Sequence, residues 1–394
     1  MIDAVVAGHL CVDIIPQISG SAAASDNFLA PGRLTEVGGA ILSTGGSVSN
    51  TGLALRKLGL DVRLVARVGD DYIGSLIHDV LNTCGARLTE RLAIGRGEPG
   101  SYTIVISPPG IDRSFLHCPG TNNTFGPEDV SAELLEQARL FHFGYPPLMR
   151  RMYADGGVEL STIFRLAKAH GVTTSLDLSM PDPTTASGRA DWPGILRLTL
   201  PHVDLFLPSV EELLYMLRRE RLDELAHTVA QGKVIDALSP QEIAALAAQA
   251  ISLGARVVAL KLGHRGLYVR TAVGIRELGR GAPQDLAGWS GRELWAPCFR
   301  VDVVNTVGSG DSTIAGFLAG LLKGQSIEGC ALSAVAVGAC NVEAADTISG
   351  LRPWEETQAR MQRGWARLDA HVDGGGWVWN EATGLWHGPD DRKP

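Results

Sequence analysis

The chain has 394 residues, a hydrophobic fraction of 45%, 20% charged residues and a formal net charge of −8. That balance supports a large buried core and excludes disorder along the whole chain. The acidic sign argues against nucleic acid or a membrane surface as partner, since both call for a basic patch. Cys11, Cys84, Cys118, Cys298, Cys330 and Cys340 form no CxxC pair and no Cys/His spacing of the zinc type. With no apolar run of membrane-spanning length and no basic-then-apolar leader before the first strand, a cytoplasmic protein with reduced thiols is expected.

Ala4-Val5-Val6-Ala7, ending in Gly8, predicts a buried strand. A loose Ser-, Ala- and Gly-rich segment runs from Ser19 to Pro31, and a short strand-like piece follows between Gly38 and Gly46. Ser47 is placed to N-cap a helix running to Leu58, with Gly59 as its stop. Val62–Val68 predicts the next strand. Ser101–Ser107 and Arg113–His117 flank Pro108-Pro-Gly-Ile-Asp112 and predict a hairpin that interrupts the α/β alternation. The alternation resumes with strands at Leu140–Phe143, Thr173–Asp177, Leu205–Leu207 and Val257–Leu262. Apolar-periodic helices separate them, which predicts an α/β fold with a doubly wound, mostly parallel sheet.

Segments 218–239 and 279–296 read as polar or Gly-rich insertions. After Gly350 the composition changes. Trp354, Trp365, Trp377, Trp379 and Trp386 crowd there beside a Gly run at 374–376, predicting a helix and a Trp-rich hairpin packed on the main body.

The most informative stretch is Val303-Val-Asn305-Thr306-Val307-Gly308-Ser309-Gly310-Asp311. A β-type run enters a Gly-x-Gly turn, and a helix leaves it with Ile314, Phe317, Leu318, Leu321 and Leu322 on one stripe before Gly324. Gly308 and Gly310 therefore stand at a helix N-terminus, where free N–H groups and the macrodipole favour an anion. Asp311 beside such a nest suits phosphoryl transfer: the nest neutralises the moving phosphoryl group while the carboxylate accepts the proton of the attacking hydroxyl. Thr313 stands where GxGxxG needs its third glycine, which weakens a dinucleotide reading. No GxxxxGK[ST] occurs, which excludes a P-loop.

These stretches resemble the ribokinase (PfkB) family of carbohydrate kinases. Its C-terminal signature, D-T-x-G-A-G-D before an apolar helix, is matched by Asn305 to Asp311. Its N-terminal G-G-x-x-x-N is matched by Gly45-Gly46-Ser47-Val48-Ser49-Asn50, and its G-x-D-x-x-G by Gly69 to Gly74. The resemblance covers roughly residues 3–350 and implies a ribokinase-like domain over 1–350, a small β-sheet lid from about 10–40 and 98–118, and an extension over 351–394. It implies a kinase moving the γ-phosphoryl group of Mg-ATP to a sugar hydroxyl, with Asp311 as base and Gly308, Ser309 and Gly310 as anion hole. Asp13, Gly45, Gly46 and Asn50 would hold the acceptor. Lys261, Gly263, Gly266, Thr306 and Asn341 would line the nucleotide site. Glu212 would organise Mg2+, although Ser209 replaces the Asn of the family's N-x-x-E motif. Asp177 stands where the family often has D-x-N, from which Ser179 departs. The Asp that helps hold potassium in relatives is Asn305 here, so a role for a monovalent cation is doubtful. Lid sheets of the family often pair, which implies a homodimer. The alternatives are a nucleoside kinase on the same fold and a catalytically idle, sugar-sensing protein.

Overall fold

The computed structural model describes residues 1–20, 30–32, 34–85, 87–109, 114–229, 234–370, 372 and 375–392. Parts of the expected loose segment (21–29), of the hairpin turn (110–113), of the first insertion (230–233) and of the Gly run (374) lie outside them.

Sixteen strands form three sheets among these residues: β1 (Ile2–Gly8), β2 (Cys11–Pro16), β3 (Ala40–Gly45), β4 (Val62–Val65), β5 (Arg67–Gly69), β6 (Ala93–Gly95), β7 (Tyr102–Ile106), β8 (Ser114–Cys118), β9 (Ala138–Gly144), β10 (Thr173–Leu176), β11 (Leu205–Phe206), β12 (Val257–Lys261), β13 (Leu267–Thr271), β14 (Glu293–Ala296), β15 (Val378–Asn380) and β16 (Leu385–His387). The main sheet has ten strands in the order β15-β16-β14-β13-β12-β11-β10-β9-β1-β4. From β4 to β12 the pairs are parallel, and from β12 to β15 antiparallel. Alternation along the strands divides the core into two layers. Val5, Ala7, Phe141 and Phe143 pack with Phe164 and Ile195 on one face. Ala4, Val6 and Leu140 pack with Leu53, Phe317 and Val335 on the other. Helices therefore cover both faces, which makes the central strands continuous apolar runs.

A separate four-stranded sheet, β3-β2-β7-β8, is the lid. β2, β7 and β8 fall within the segments 10–40 and 98–118, whereas β3 extends the sheet beyond them to Gly45. Among the described residues no helix is long and apolar enough to cross a membrane.

Three local expectations are corrected. Ser47 does not cap its helix: Gly46 is the N-cap at φ +89, and a Cβ there would lie 2.5 Å from the His9 carbonyl oxygen. Only glycine fits that backbone, so Ser47 moves to the first helical position. The strand expected over 62–68 breaks at Ala66, because Arg67–Gly69 pairs with β6 instead. The segment 279–296 is not only an insertion: β14 is fully buried between β13 and β16. Its polar residues hid it. Arg292 is buried because it pairs with Asp391 and Glu328, and Glu293 because it accepts from the Tyr268 hydroxyl at 2.7 Å.

Candidate active site

The parallel strands deliver their C-terminal ends to one rim, where open α/β sheets place their ligands. Gly8 ends β1, Gly144 ends β9, Asp177 follows β10, Ser209 follows β11 and Lys261 ends β12. Gly8 pairs with Gly144 at φ +125, and a Cβ on it would meet the Gly144 carbonyl oxygen at 2.3 Å.

Asp311 occupies the first turn of the helix Ser309–Leu322, is 2% exposed, and is the hub of the rim. Asn50 Nδ2 donates to its Oδ2 at 3.0 Å, the Tyr145 hydroxyl to the same oxygen at 2.8 Å, and Thr51 Oγ1 to Oδ1 at 3.4 Å. Burial raises the carboxyl pKa above its ordinary value, against the opposing pull of Lys261 and these three donors. The two signatures, 261 residues apart, thus meet in one buried hydrogen bond. Asn50 was expected to hold the acceptor, and its Nδ2 is committed to Asp311. Its Oδ1 remains buried without a hydrogen-bond partner, an acceptor that a ligand hydroxyl would satisfy.

Gly308 is the N-cap of that helix at φ +73, and a Cβ would approach Thr347 Cγ2 to 2.9 Å. The left-handed turn aims the first-turn amides of Gly310 and Asp311 away from any intrahelical partner. Gly310 lies 3.8 Å, measured from an added Cβ, from Lys261 Nζ. Lys261 in turn bonds Asp177 Oδ1 at 2.6 Å. Burial disfavours the Lys261 charge, but Asp177, Glu212 and Asp311 outweigh it and raise its pKa. Asp177 is raised by burial, with Lys261 opposing.

Asp13 stands on β2, paired with Ser43 of β3 and Thr103 of β7. A Cβ on Gly45 would lie 2.3 Å from Asp13 Oδ2, so the glycine makes room for the carboxylate. Glu212 forms a capping box with Ser209: its Oε2 accepts from the Ser209 amide at 2.7 Å, and its own amide donates to Ser209 Oγ at 3.2 Å. The serine in place of Asn has therefore become a helix cap.

Lys261, Gly263, Gly266, Thr306, Ser309 and Gly310 line a cavity of about 260 Å3 whose far wall is Val335, Ala339 and Val342. Asn341 is not on that lining. It is buried at the end of the helix Ile327–Asn341, and its Nδ2 donates to the Thr347 carbonyl at 2.8 Å. Cys298, Phe299 and Leu368 close the cavity, the last contributed by the segment after Gly350. Tyr145 is the functional candidate missed in the sequence. It follows Gly144 at φ +65, and a strained non-glycine residue at a strand end is the kind of site where function concentrates.

A family model described as pfkB family carbohydrate kinase matches residues 1–354. An uncharacterized sugar kinase of Archaeoglobus fulgidus is 24% identical over 266 residues, 68% of this chain and 85% of that protein. Ribokinase of Arabidopsis thaliana is 24% identical over 293 residues, 73% of this chain and 64% of that protein. Among solved structures, Arabidopsis thaliana ribokinase complexed with ribose and ATP superposes with a TM-score of 0.66 at 20% identity, covering 91% of this chain and 98% of that one. Ribokinase of Thermotoga maritima does so with a TM-score of 0.64 at 18% identity, covering 92% and 100%. These likenesses establish the ribokinase-like fold. The signatures on one rim, the fold and the family match over nine-tenths of the sequence converge: the chain belongs to the pfkB family of carbohydrate kinases.

Proposed function

We propose that the protein transfers the γ-phosphoryl group of Mg-ATP to a hydroxyl of a sugar or sugar-like acceptor, with Asp311 as general base. The observation that carries this reading is the buried contact of Asn50 with Asp311, which sets an acceptor-side residue against a carboxylate in the anion-binding turn. Asp13 and the unpartnered Asn50 Oδ1 receive acceptor hydroxyls, and Asp311 takes the proton of the reacting one. The oxygen then forms its bond to the γ-phosphorus as the bond to ADP breaks, while the Gly308–Gly310 amides and Lys261 stabilise the phosphoryl charge. Raising the Asp311 pKa by burial makes it a stronger base near neutral pH.

ATP as phosphoryl donor is supported by the ATP complexes of Arabidopsis thaliana ribokinase and of a fructokinase of Xylella fastidiosa. Glu212 and Asp177 supply the hard oxygen acceptors that hydrated Mg2+ prefers, and Asp177 Oδ2 is buried without a partner, so these two residues fit the ion held through water. Bound there, Mg2+ would neutralise charge on the nucleotide phosphates. The lid sheet excludes water from the acceptor, and its exposed Ile41, Leu42, Phe115 and Leu116 support pairing of two lids in a homodimer. The test is an ADP-release screen of neutral sugars, sugar acids and nucleosides with Mg-ATP. Absence of acceptor-dependent ADP release across that panel would count against the reading.

A further inference from the structure

We propose that His9, Cys11 and His117 form a site for a borderline-soft divalent cation of the Zn2+ class at the joint between main sheet and lid. One ligand atom from each residue lies within 4.8 Å of the other two. His9 Nε2 and His117 Nε2 face each other at 3.2 Å. In a tetrahedral site with metal–nitrogen bonds of about 2.0–2.1 Å, two nitrogen ligands stand about 3.3–3.4 Å apart, so the pair already has that spacing.

The surrounding contacts fit ligation. His117 Nδ1 lies 3.0 Å from Thr103 Oγ1, an outer contact that fixes the tautomer and presents Nε2 inward. The Cys11 thiol lies 3.5 Å from the same hydroxyl. An ion on both Nε2 atoms puts the ring protons on Nδ1, where that of His117 donates to Thr103, and it displaces the thiol proton of Cys11 to solvent. Two imidazoles and a thiolate select Zn2+, Co2+ or Cu over Mg2+, which takes oxygen ligands. The site is therefore chemically distinct from the carboxylates around Lys261, and it does not depend on the kinase reading.

Its placement gives it a consequence. His9 follows the end of β1 in the main sheet, Cys11 begins β2, and His117 lies on β8 of the lid. An ion would tie these three strands together. Three protein ligands leave a coordination position open, as in zinc sites that bind a further ligand. Asp13 Oδ1 stands 3.4 Å from the Cys11 thiol, which sets the ion beside the proposed acceptor pocket. Acceptor and ion would then compete or bind together, and lid movement would be restrained.

The experiment is a Co2+ titration of the chelator-treated full chain, read by absorption. The expected result is a thiolate-to-cobalt charge-transfer band with tetrahedral d–d bands that saturates at one equivalent and is removed by Zn2+. Cys11→Ser should abolish the charge-transfer band. His117→Gln should weaken Co2+ binding by roughly tenfold or more, while Cys84→Ser, at an exposed thiol elsewhere, should leave it unchanged. His117 lies on an exposed strand, so its variant decides the matter if Cys11→Ser does not fold. No thiolate band in folded protein, a band that survives Cys11→Ser, or a Co2+ affinity left unchanged by His117→Gln overturns the proposal.

Discussion

Replacing Tyr145 by Phe removes one of two donors on Asp311 Oδ2 and nothing else from the rim, because the ring can stay where it is. A hydrogen bond to a buried charged group is worth about 1.5–3 kcal/mol. Since 1.36 kcal/mol corresponds to one pKa unit, losing it should raise the Asp311 pKa by about 1–2 units beyond the rise burial already imposes. The sign follows from the donor favouring the carboxylate: without it the proton is held to higher pH. The acidic limb of kcat/KM against pH should therefore move upward by about 1–2 units, while the plateau above it falls less than about tenfold, because a more basic carboxylate partly offsets its looser aim. The assay is a coupled ADP-release measurement from pH 5 to 9 with the acceptor found by screening, beside thermal melting of each protein. A folded variant whose acidic limb stays in place would refute the assignment of that limb to a Tyr145-supported Asp311.

Asp311→Asn should cut kcat by about two to four orders of magnitude with the fold retained. The same variant should melt no lower than wild type at neutral pH. The folded carboxyl holds its proton to higher pH than the unfolded one, so its ionisation subtracts stability as pH rises through that window. Gly308→Ala, forced to φ +73 against Thr347, should lower stability by about 1–2 kcal/mol in urea unfolding and reduce kcat more than it raises the acceptor KM. Asn305 spends its amide on the loop, Oδ1 accepting from the Val307 amide at 2.9 Å and Nδ2 donating to the Ala345 carbonyl. Turnover in potassium should therefore exceed that in tetramethylammonium at equal ionic strength by less than roughly tenfold, about 1.4 kcal/mol in barrier. A larger ratio would contradict that reading of Asn305.

Glycines at special backbone positions made the turns of the proposed catalytic rim legible in the sequence. Gly46, Gly308 and Asp311 announce a turn, an anion-binding helix start and a charge beside it, all local properties of the chain. What was not legible depends on residues far apart. Tyr145 follows an unremarkable apolar strand, and only the crossing of β9 against the helix Ser309–Leu322 brings its hydroxyl to Asp311. The commitment of Asn50 Nδ2 to that carboxylate is likewise tertiary. Glu212 carries over from the family's magnesium position, and the same S-x-x-E spacing of Ser209 and Glu212 also spells the capping box that the structure forms. β14 escaped because Arg292 and Glu293 look like surface residues until their partners are in view, Asp391 of the tail for Arg292, and Arg270 and the Tyr268 hydroxyl of β13 for Glu293. His9 and Cys11 stand two residues apart, but His117 joins them from a strand 108 residues away, so no zinc-type spacing signals the group.

The segment after Gly350 also bears on the order in which the protein becomes competent during synthesis. β16 hydrogen-bonds to β14, and Arg367 pairs with Phe299 opposite the cavity wall, where Leu368 takes its place. The segment that carries them leaves the ribosome after strands β1 to β14. A nascent chain that stops short of them would present the edge of β14, with Leu294 and Trp295, to solvent, an invitation to pair with other chains. The cavity lined by Lys261 and Gly310 would lack Leu368 at the same moment. Completion of that cavity and protection of that edge are thus acquired together, late, and by the same stretch of polypeptide.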